Sequence, residues 1–196
     1  MPANCTIIIP CLDSHEVVRR QVLHFDNLLA GMNIQVLLID DGSDPPLPVY
    51  DYPWLRQHAT GDKRHWTQGI AANTGATMSD TPYIMFMDID HAVTRDVVMY
   101  LSRFDSDAAL FQRRIGTLAD DGTIITGKTI HPHVNTYVIR RELFAISPRY
   151  HNKPGYVTDR EMRSWLHHQA KSRKIKLHTG PAIVSIDGKF HDLKRS

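Results

Sequence analysis

The stretch Ile34-Gln35-Val36-Leu37-Leu38-Ile39-Asp40-Asp41-Gly42-Ser43 decides the fold. Its apolar, branched run is too short for an ordinary helix and too continuous for a half-exposed strand, so it reads as a strand buried on both faces of a parallel sheet. The acidic turn that follows lies at the carboxyl end of that strand, where open α/β sheets place their ligands. A second acidic cluster, Asp88-Ile89-Asp90, follows the apolar run Tyr83-Ile84-Met85-Phe86-Met87. Two carboxylate clusters converging past the carboxyl ends of buried parallel strands imply a divalent cation carrying a phosphorylated ligand.

Working outward, Thr6 to Ile9 is a third apolar β-branched run. Val18, Val22, Phe25 and Leu29 recur at helical spacing behind it. Asp13 or Ser14 is placed to cap that helix, Glu16 to reach back in a capping box, and Gly31 to end it. Strand, helix and the 34–39 strand make a right-handed βαβ unit. Asp44-Pro45-Pro46-Leu47-Pro48 is a loop. An Ala-rich helix over Gln68 to Met78 and a helix over Arg95 to Ser102 flank the 83–87 strand. Ala119-Asp120-Asp121-Gly122-Thr123 reads as a hairpin turn, which marks a change from βα repeats to an antiparallel section. A strand at Tyr137 to Ile139, a short helical turn from Arg141 to Phe144, a helix starting at Thr158 or Asp159, and short strands at Ile175 to Leu177 and Ala182 to Ile186 complete the expectation.

A chain of 196 residues, 42% hydrophobic and 22% charged, suits one α/β domain. We divide it into a nucleotide-binding half, 1–105, and a mixed second half, 106–196. No apolar run is long enough to span a membrane and the N-terminus carries no signal-peptide pattern, so the expected compartment is the cytoplasm. The two cysteines, Cys5 and Cys11, sit at opposite ends of one strand, roughly 20 Å apart at ~3.3 Å per residue, and are read as unpaired thiols. The net charge of +2 hides an asymmetry: residues 1–138 carry 10 Lys/Arg and 16 Asp/Glu, residues 139–196 carry 13 and 5. An acidic half suits a cation site; a basic half suits an anionic partner, or is a solvated face.

With these pieces in place the chain resembles family 2 glycosyltransferases of the GT-A fold, a Rossmann-like nucleotide-binding half with a mostly parallel central sheet joined to a mixed acceptor half. The resemblance rests on five motifs in order: Ile7-Ile8-Ile9-Pro10-Cys11-Leu12-Asp13, Ile39-Asp40-Asp41-Gly42-Ser43, Ala71-Ala72-Asn73-Thr74-Gly75, Met87-Asp88-Ile89-Asp90 and Tyr156-Val157-Thr158-Asp159. It implies that Asp40 fixes the nucleotide base, with Pro10, Asp13 and Asp41 in the same cleft. Asp90 would bind Mn²⁺ or Mg²⁺ directly, and Asp88 the ribose or the metal. From an extended backbone both carboxylates would project to one side. His91 stands where relatives often carry another Asp.

The resemblance also implies Asn73 as a nucleotide-sugar contact. Its usual arginine neighbour is replaced by Ala72, for which Lys63, Arg64 or His65 could substitute; alternatively the Ala-rich helix is packing alone. Asp159, preceded by Thr158 in place of a Glu, matches the catalytic base, with a helix N-cap as its plainer role and Glu161 in reserve. His191, in Gly188-Lys189-Phe190-His191-Asp192, matches a third metal ligand. The expected activity is metal-dependent inverting transfer from a nucleoside diphosphate sugar, a UDP-sugar first, to a hydroxyl on an acidic acceptor. Phosphate-bearing glycans, lipid carriers and DNA with hydroxymethylated bases are the candidate acceptors. A nucleotidyltransferase-like enzyme and a non-catalytic nucleotide-sugar-binding module are the rival readings.

Overall fold

The computed structural model describes residues 2–64, 67–130, 136–151 and 159–186. In chain order the elements are β1 (Cys5–Cys11), α1 (His15–Leu29), β2 (Ile34–Asp40), β3 (Leu55–Ala59), α2 (Gln68–Met78), β4 (Tyr83–Phe86), β5 (His91–Ala92) and α3 (Arg95–Ser102). Then come β6 (Ala108–Leu118), β7 (Ile124–Ile130), β8 (Tyr137–Arg140), α4 (Arg141–Ala145), α5 (Asp159–Lys171) and β9 (Leu177–Ile186). The strands form one sheet in the order β3-β2-β1-β4-β8-β6-β9-β5, with β7 paired to β6. The four leading positions, β3-β2-β1-β4, are mutually parallel. Beyond β4 the sheet is mixed, with β8 antiparallel to both β4 and β6, and β9 parallel to β6.

Side chains along β1 alternate between two cores, as the pleat requires. Ile7 and Ile9 join Val18, Val22, Phe25 and Leu29 of α1 and Val97, Val98 and Leu101 of α3 on one face. Ile8 joins Leu37, Ile39, Ala71, Ala72 and Ala76 on the other, with Met162 and Leu166 of α5. Because both faces are covered, β1 and β2 are buried almost throughout and show no polar alternation. Among the described residues no helix is long and apolar enough to cross a membrane. Cys5 and Cys11 are free and buried, and burial pushes both thiols up from their ordinary range.

Pro10 marks where the sheet forks. The Ile8 carbonyl accepts from Met87 N (3.1 Å), so even-numbered residues of β1 face β4, whereas the Cys11 carbonyl accepts from Asp41 N (2.8 Å) on the β2 side. The β1–β4 pairing stops at Ile8↔Phe86, two residues before Pro10. A residue without an N–H therefore occupies a place where no ladder bond is needed, and the β1–β4 pairing ends where the strand order reverses, the switch point at which open α/β sheets form their ligand crevice.

Four expectations are corrected. Ser14 stands at the N-cap of α1 but makes no capping bond: its hydroxyl donates to the Leu12 carbonyl (2.7 Å). Glu16 accepts from Arg19 and Arg20 instead of reaching back, so no capping box forms. The two short strands expected after Lys174 are one strand, β9, which runs through Gly180-Pro181 with a register shift opposite Phe111/Gln112. Two strands, β3 and β5, were not expected at all.

Candidate active site

Three chain segments meet at the crevice. After β1, Asp13 adopts a left-handed backbone (φ 48°). Its N–H donates to Ser43 Oγ (2.9 Å), and its carboxylate accepts from Asp44 N (2.9 Å). This reciprocal latch joins the loop after β1 to the loop after β2, which brings Pro10, Asp13, Asp40 and Asp41 to one place.

Asp40 shapes its own loop. One carboxylate oxygen accepts from Ser43 N (2.9 Å) and the other from Leu47 N (3.0 Å). Burial alone would raise this carboxyl, but hydrogen bonds from the Ser43 hydroxyl and from the Leu47, Ser43 and Gly42 backbone outweigh it and hold it below its ordinary value. Asp41 is the opposite case. It is buried, and its Oδ1 makes no hydrogen bond of ordinary length among the described residues, nor does the buried Thr67 hydroxyl. Burial pushes the Asp41 carboxyl up; the Thr67 and Thr60 hydroxyls nearby ease this, Asp62 and Asp40 add to it, and the result is about 6.

Gly42 lets the 60–64 loop close over this turn. Its φ is +93°, and a Cβ there would sit 2.0 Å from the Asp62 carbonyl oxygen. Lys63 reaches across, its Nζ donating to the carbonyls of Gly42 (3.0 Å) and Ser43 (3.1 Å). Arg64 is committed to Asp62 at 2.6 Å. Of the three candidates to replace the missing arginine, Lys63 therefore lies against the acidic turn, Arg64 is paired elsewhere, and His65 lies outside the described residues.

The second acidic cluster converges through a turn and not through an extended strand as expected. His91 N donates to the Asp88 carbonyl (3.0 Å), closing a tight turn over Ile89 and Asp90. That turn brings ligand atoms of Asp88, Asp90 and His91 within 4.8 Å of one another. His91 Nδ1 lies 3.2 Å from Asp90 Oδ1 and 3.9 Å from Asp88 Oδ2. The imidazole is 1% exposed, the Asp88 side chain 16% and that of Asp90 37%, so the cluster opens to solvent through Asp90. Gln68, at the start of α2, donates to Asp88 Oδ1 (2.8 Å) and aims it. The two carboxylates supply hard, anionic oxygen donors that fit Mg²⁺ or Mn²⁺, with the imidazole adjacent to them.

Asn73 holds a neighbouring loop. Its side-chain N donates to the Tyr150 carbonyl (2.7 Å) while its Oδ1 accepts from Tyr150 N (3.2 Å). Ala72, in the position of the missing arginine, is packed into the core. Asp159 is the first residue of α5, though its side chain, like Thr158 and His191, lies outside the described residues. Glu161, the reserve base, accepts from or shares a proton with His151 at 3.0 Å. Sequence reasoning noted His91 only as a departure from the family pattern directly after the acidic triplet, and did not place Gln68 beside Asp88.

Among curated proteins none matches this sequence. Solved structures that resemble the fold include two of one protein. One is described as the crystal structure of S. aureus TarS 1-349, with a TM-score of 0.61 and 13% identity over 93% of this chain and 60% of that one. The other is described as the crystal structure of S. aureus TarS, with 0.58 and 14% over 94% and 35%. The chain thus spans less than two thirds of either structure's length. A model of glycosyl transferase family 2 matches residues 6–178, which takes in the crevice, both acidic turns and the start of α5. On that match, and with a sheet of GT-A architecture beneath it, the chain belongs to glycosyltransferase family 2.

Proposed function

We propose that this chain is a metal-dependent, inverting glycosyltransferase that moves a sugar from a nucleoside diphosphate sugar, a UDP-sugar first, to a hydroxyl of an acidic acceptor. The observation that carries the reading is the Asp88-Asp90-His91 cluster at the mouth of the crevice between β1 and β4. In this reading Asp90 and Asp88 hold Mn²⁺ or Mg²⁺, with His191 as the further ligand implied by the family. The bound ion would supply charge neutralisation for the departing diphosphate.

The residues of the chain do the rest. Asp40, Asp41, Asp13 and Pro10 form the nucleotide pocket. Asp40 keeps the loop in shape through its two backbone bonds, and Asp41 offers the carboxyl that has spare acceptor capacity. Asn73 contributes by fixing Tyr150, which borders the same side of α2. Asp159 takes the proton from the acceptor hydroxyl as that oxygen attacks the anomeric carbon; the bond to the diphosphate breaks on the opposite face, inverting the centre. The acidic-acceptor part of the proposal is supported by the basic second half of the chain, where Arg160, Lys171, Arg173, Lys174 and Lys176 are all exposed.

The test is direct. The protein is incubated with Mn²⁺ and UDP-, GDP- or TDP-sugars, and nucleoside diphosphate release is scored with and without EDTA. Transfer is then measured to a phosphate-bearing glycan, a neutral oligosaccharide and hydroxymethylated DNA across a salt series. Mn²⁺-dependent release from a UDP-sugar, with transfer to an anionic acceptor that weakens as salt rises, is the expected result. Release that persists unchanged in EDTA would overturn the metal reading. Salt-insensitive transfer to the neutral sugar would overturn the acidic acceptor, and transfer to the DNA alone would select that acceptor over glycans.

A further inference from the structure

Helix α1 carries two buried polar side chains, Gln21 and His24, one helical turn apart on the face that packs against the sheet. Both address the backbone that follows β4. Gln21 Nε2 donates to the carbonyls of Ile89 (3.3 Å) and His91. His24 Nε2 lies 2.7 Å from the Val93 carbonyl, and its Nδ1 lies 2.8 Å from the carbonyl of Gly122 in the β6–β7 hairpin turn. From the opposite side, Ile186 N of β9 donates to the carbonyl of Asp90 (2.7 Å). Three carbonyls from Ile89 to His91 are therefore held, two of them by Gln21, and a fourth, that of Val93, lies against His24 of the same helix.

This arrangement has a cost that packing alone does not explain. Gln21 is 0% exposed among apolar residues, and its Oε1 is buried without a hydrogen-bond partner among the described residues. A buried amide oxygen left unsatisfied keeps the desolvation penalty of a lost hydrogen bond, which a methionine or leucine here would avoid. What an apolar side chain could not supply is a donor for the two carbonyls on either side of Asp90. We propose that Gln21 and His24 are positioning residues that fix the Asp88–His91 turn in the shape that brings its ligand atoms together. The proposal rests on the reading of that turn as a cation site.

The test compares Gln21→Met, which keeps the volume and removes the donors, with Val22→Ala, which removes packing from the same helix and leaves the carbonyls bonded. His24→Leu, which removes the outer contact to Val93, is the second clamp variant should Gln21→Met fold poorly. Each is read by the affinity for Mn²⁺ in the presence of UDP, from the free-Mn²⁺ electron paramagnetic resonance signal, and by hydrogen exchange of the 87–94 segment without metal. Loss of such outer-shell support is expected to weaken Mn²⁺ affinity by about 10- to 100-fold. Exchange across 88–93 should also quicken in both clamp variants and stay at the wild-type rate in Val22→Ala. Wild-type exchange and wild-type Mn²⁺ affinity in Gln21→Met would overturn the proposal, as would equal effects in Val22→Ala. Absence of Mn²⁺ binding by the wild-type chain would count against the cation reading instead, and the exchange comparison would then decide the clamp by itself.

Discussion

Replacing Gly75 by alanine sets two effects of opposite sign against each other. In an exposed helix the change would stabilise by about 1 kcal/mol, because glycine is the poorer helix former. Gly75 of α2, however, faces the sheet: a Cβ there would lie 2.4 Å from Ile8 Cγ2 and 3.3 Å from Ile39 Cγ1. Ile8 and Ile39 are wholly buried, lie on hydrogen-bonded neighbouring strands, and as β-branched residues have little rotamer freedom with which to yield. Ordinary contact begins near 3.4 Å, so the helix has to rise by about 1 Å. Overpacking of this kind costs about 1–3 kcal/mol, leaving a net loss of up to about 2 kcal/mol. At about 2–4 °C per kcal/mol for a chain of this size, Tm falls by up to about 8 °C. The lift also moves Gln68 off Asp88 and Asn73 off Tyr150, so Mn²⁺ affinity drops with it. Thermal melts of Gly75→Ala in the wild-type and in an Ile8→Ala background check the argument. In the second background the obstructing methyl is gone and the same change should be neutral or stabilising. A rise in Tm for Gly75→Ala in the wild-type chain would refute the steric account.

Asp90→Ala should abolish Mn²⁺-dependent binding of the nucleotide sugar while shifting Tm little, since its side chain is partly exposed; unchanged binding in a calorimetric titration would sink its role as a ligand. Asp159→Asn should keep donor affinity and lower kcat by about 10²-fold or more, whereas lost donor binding with no specific fall in kcat would mark it as a helix cap. Asp41 has a pKa of about 6 when folded, above the ordinary carboxylate value, so its contribution to stability is fully present below about pH 4 and is lost as pH rises through 6. Asp41→Asn should therefore raise Tm at pH 8 more than at pH 4; an equal change at both would show that burial of the charge is not the cause.

The parallel half of the sheet was legible because each of its inner strands is buried on both faces, and the helices expected over Gln68 to Met78, from its alanines, and over Arg95 to Ser102 have the bounds observed. β3 was not, since Leu55-Arg56-Gln57-His58-Ala59 is an edge strand with one bonded neighbour and little apolar surface. β5 is two residues long and exists through its pairing with β9, so no local pattern announces it. β9 read as two strands because Gly180-Pro181 looks like a breaker; in the fold the bare α-carbon of Gly180 admits the Phe111 ring, which a Cβ would meet at 2.8 Å. The same division runs through the site. Asp88 and Asp90 declare themselves by spacing, but the partners that aim them, Gln68 and Gln21, arrive from 20 and about 70 residues away and have no signature of their own.

The sealed thiols have a practical consequence. Cys5 and Cys11 are the chain's only cysteines, both lie inside the core, and burial keeps them protonated where a labelling reagent needs the thiolate. The folded wild-type protein therefore offers a silent background for site-directed labelling. A cysteine introduced at Val49, which is 91% exposed on the proline-rich loop beyond the acidic turn, would be the one group that a maleimide fluorophore or nitroxide reaches. Such a reporter would follow that loop as donor binds, in the native sequence and without first stripping the core of its sulfur.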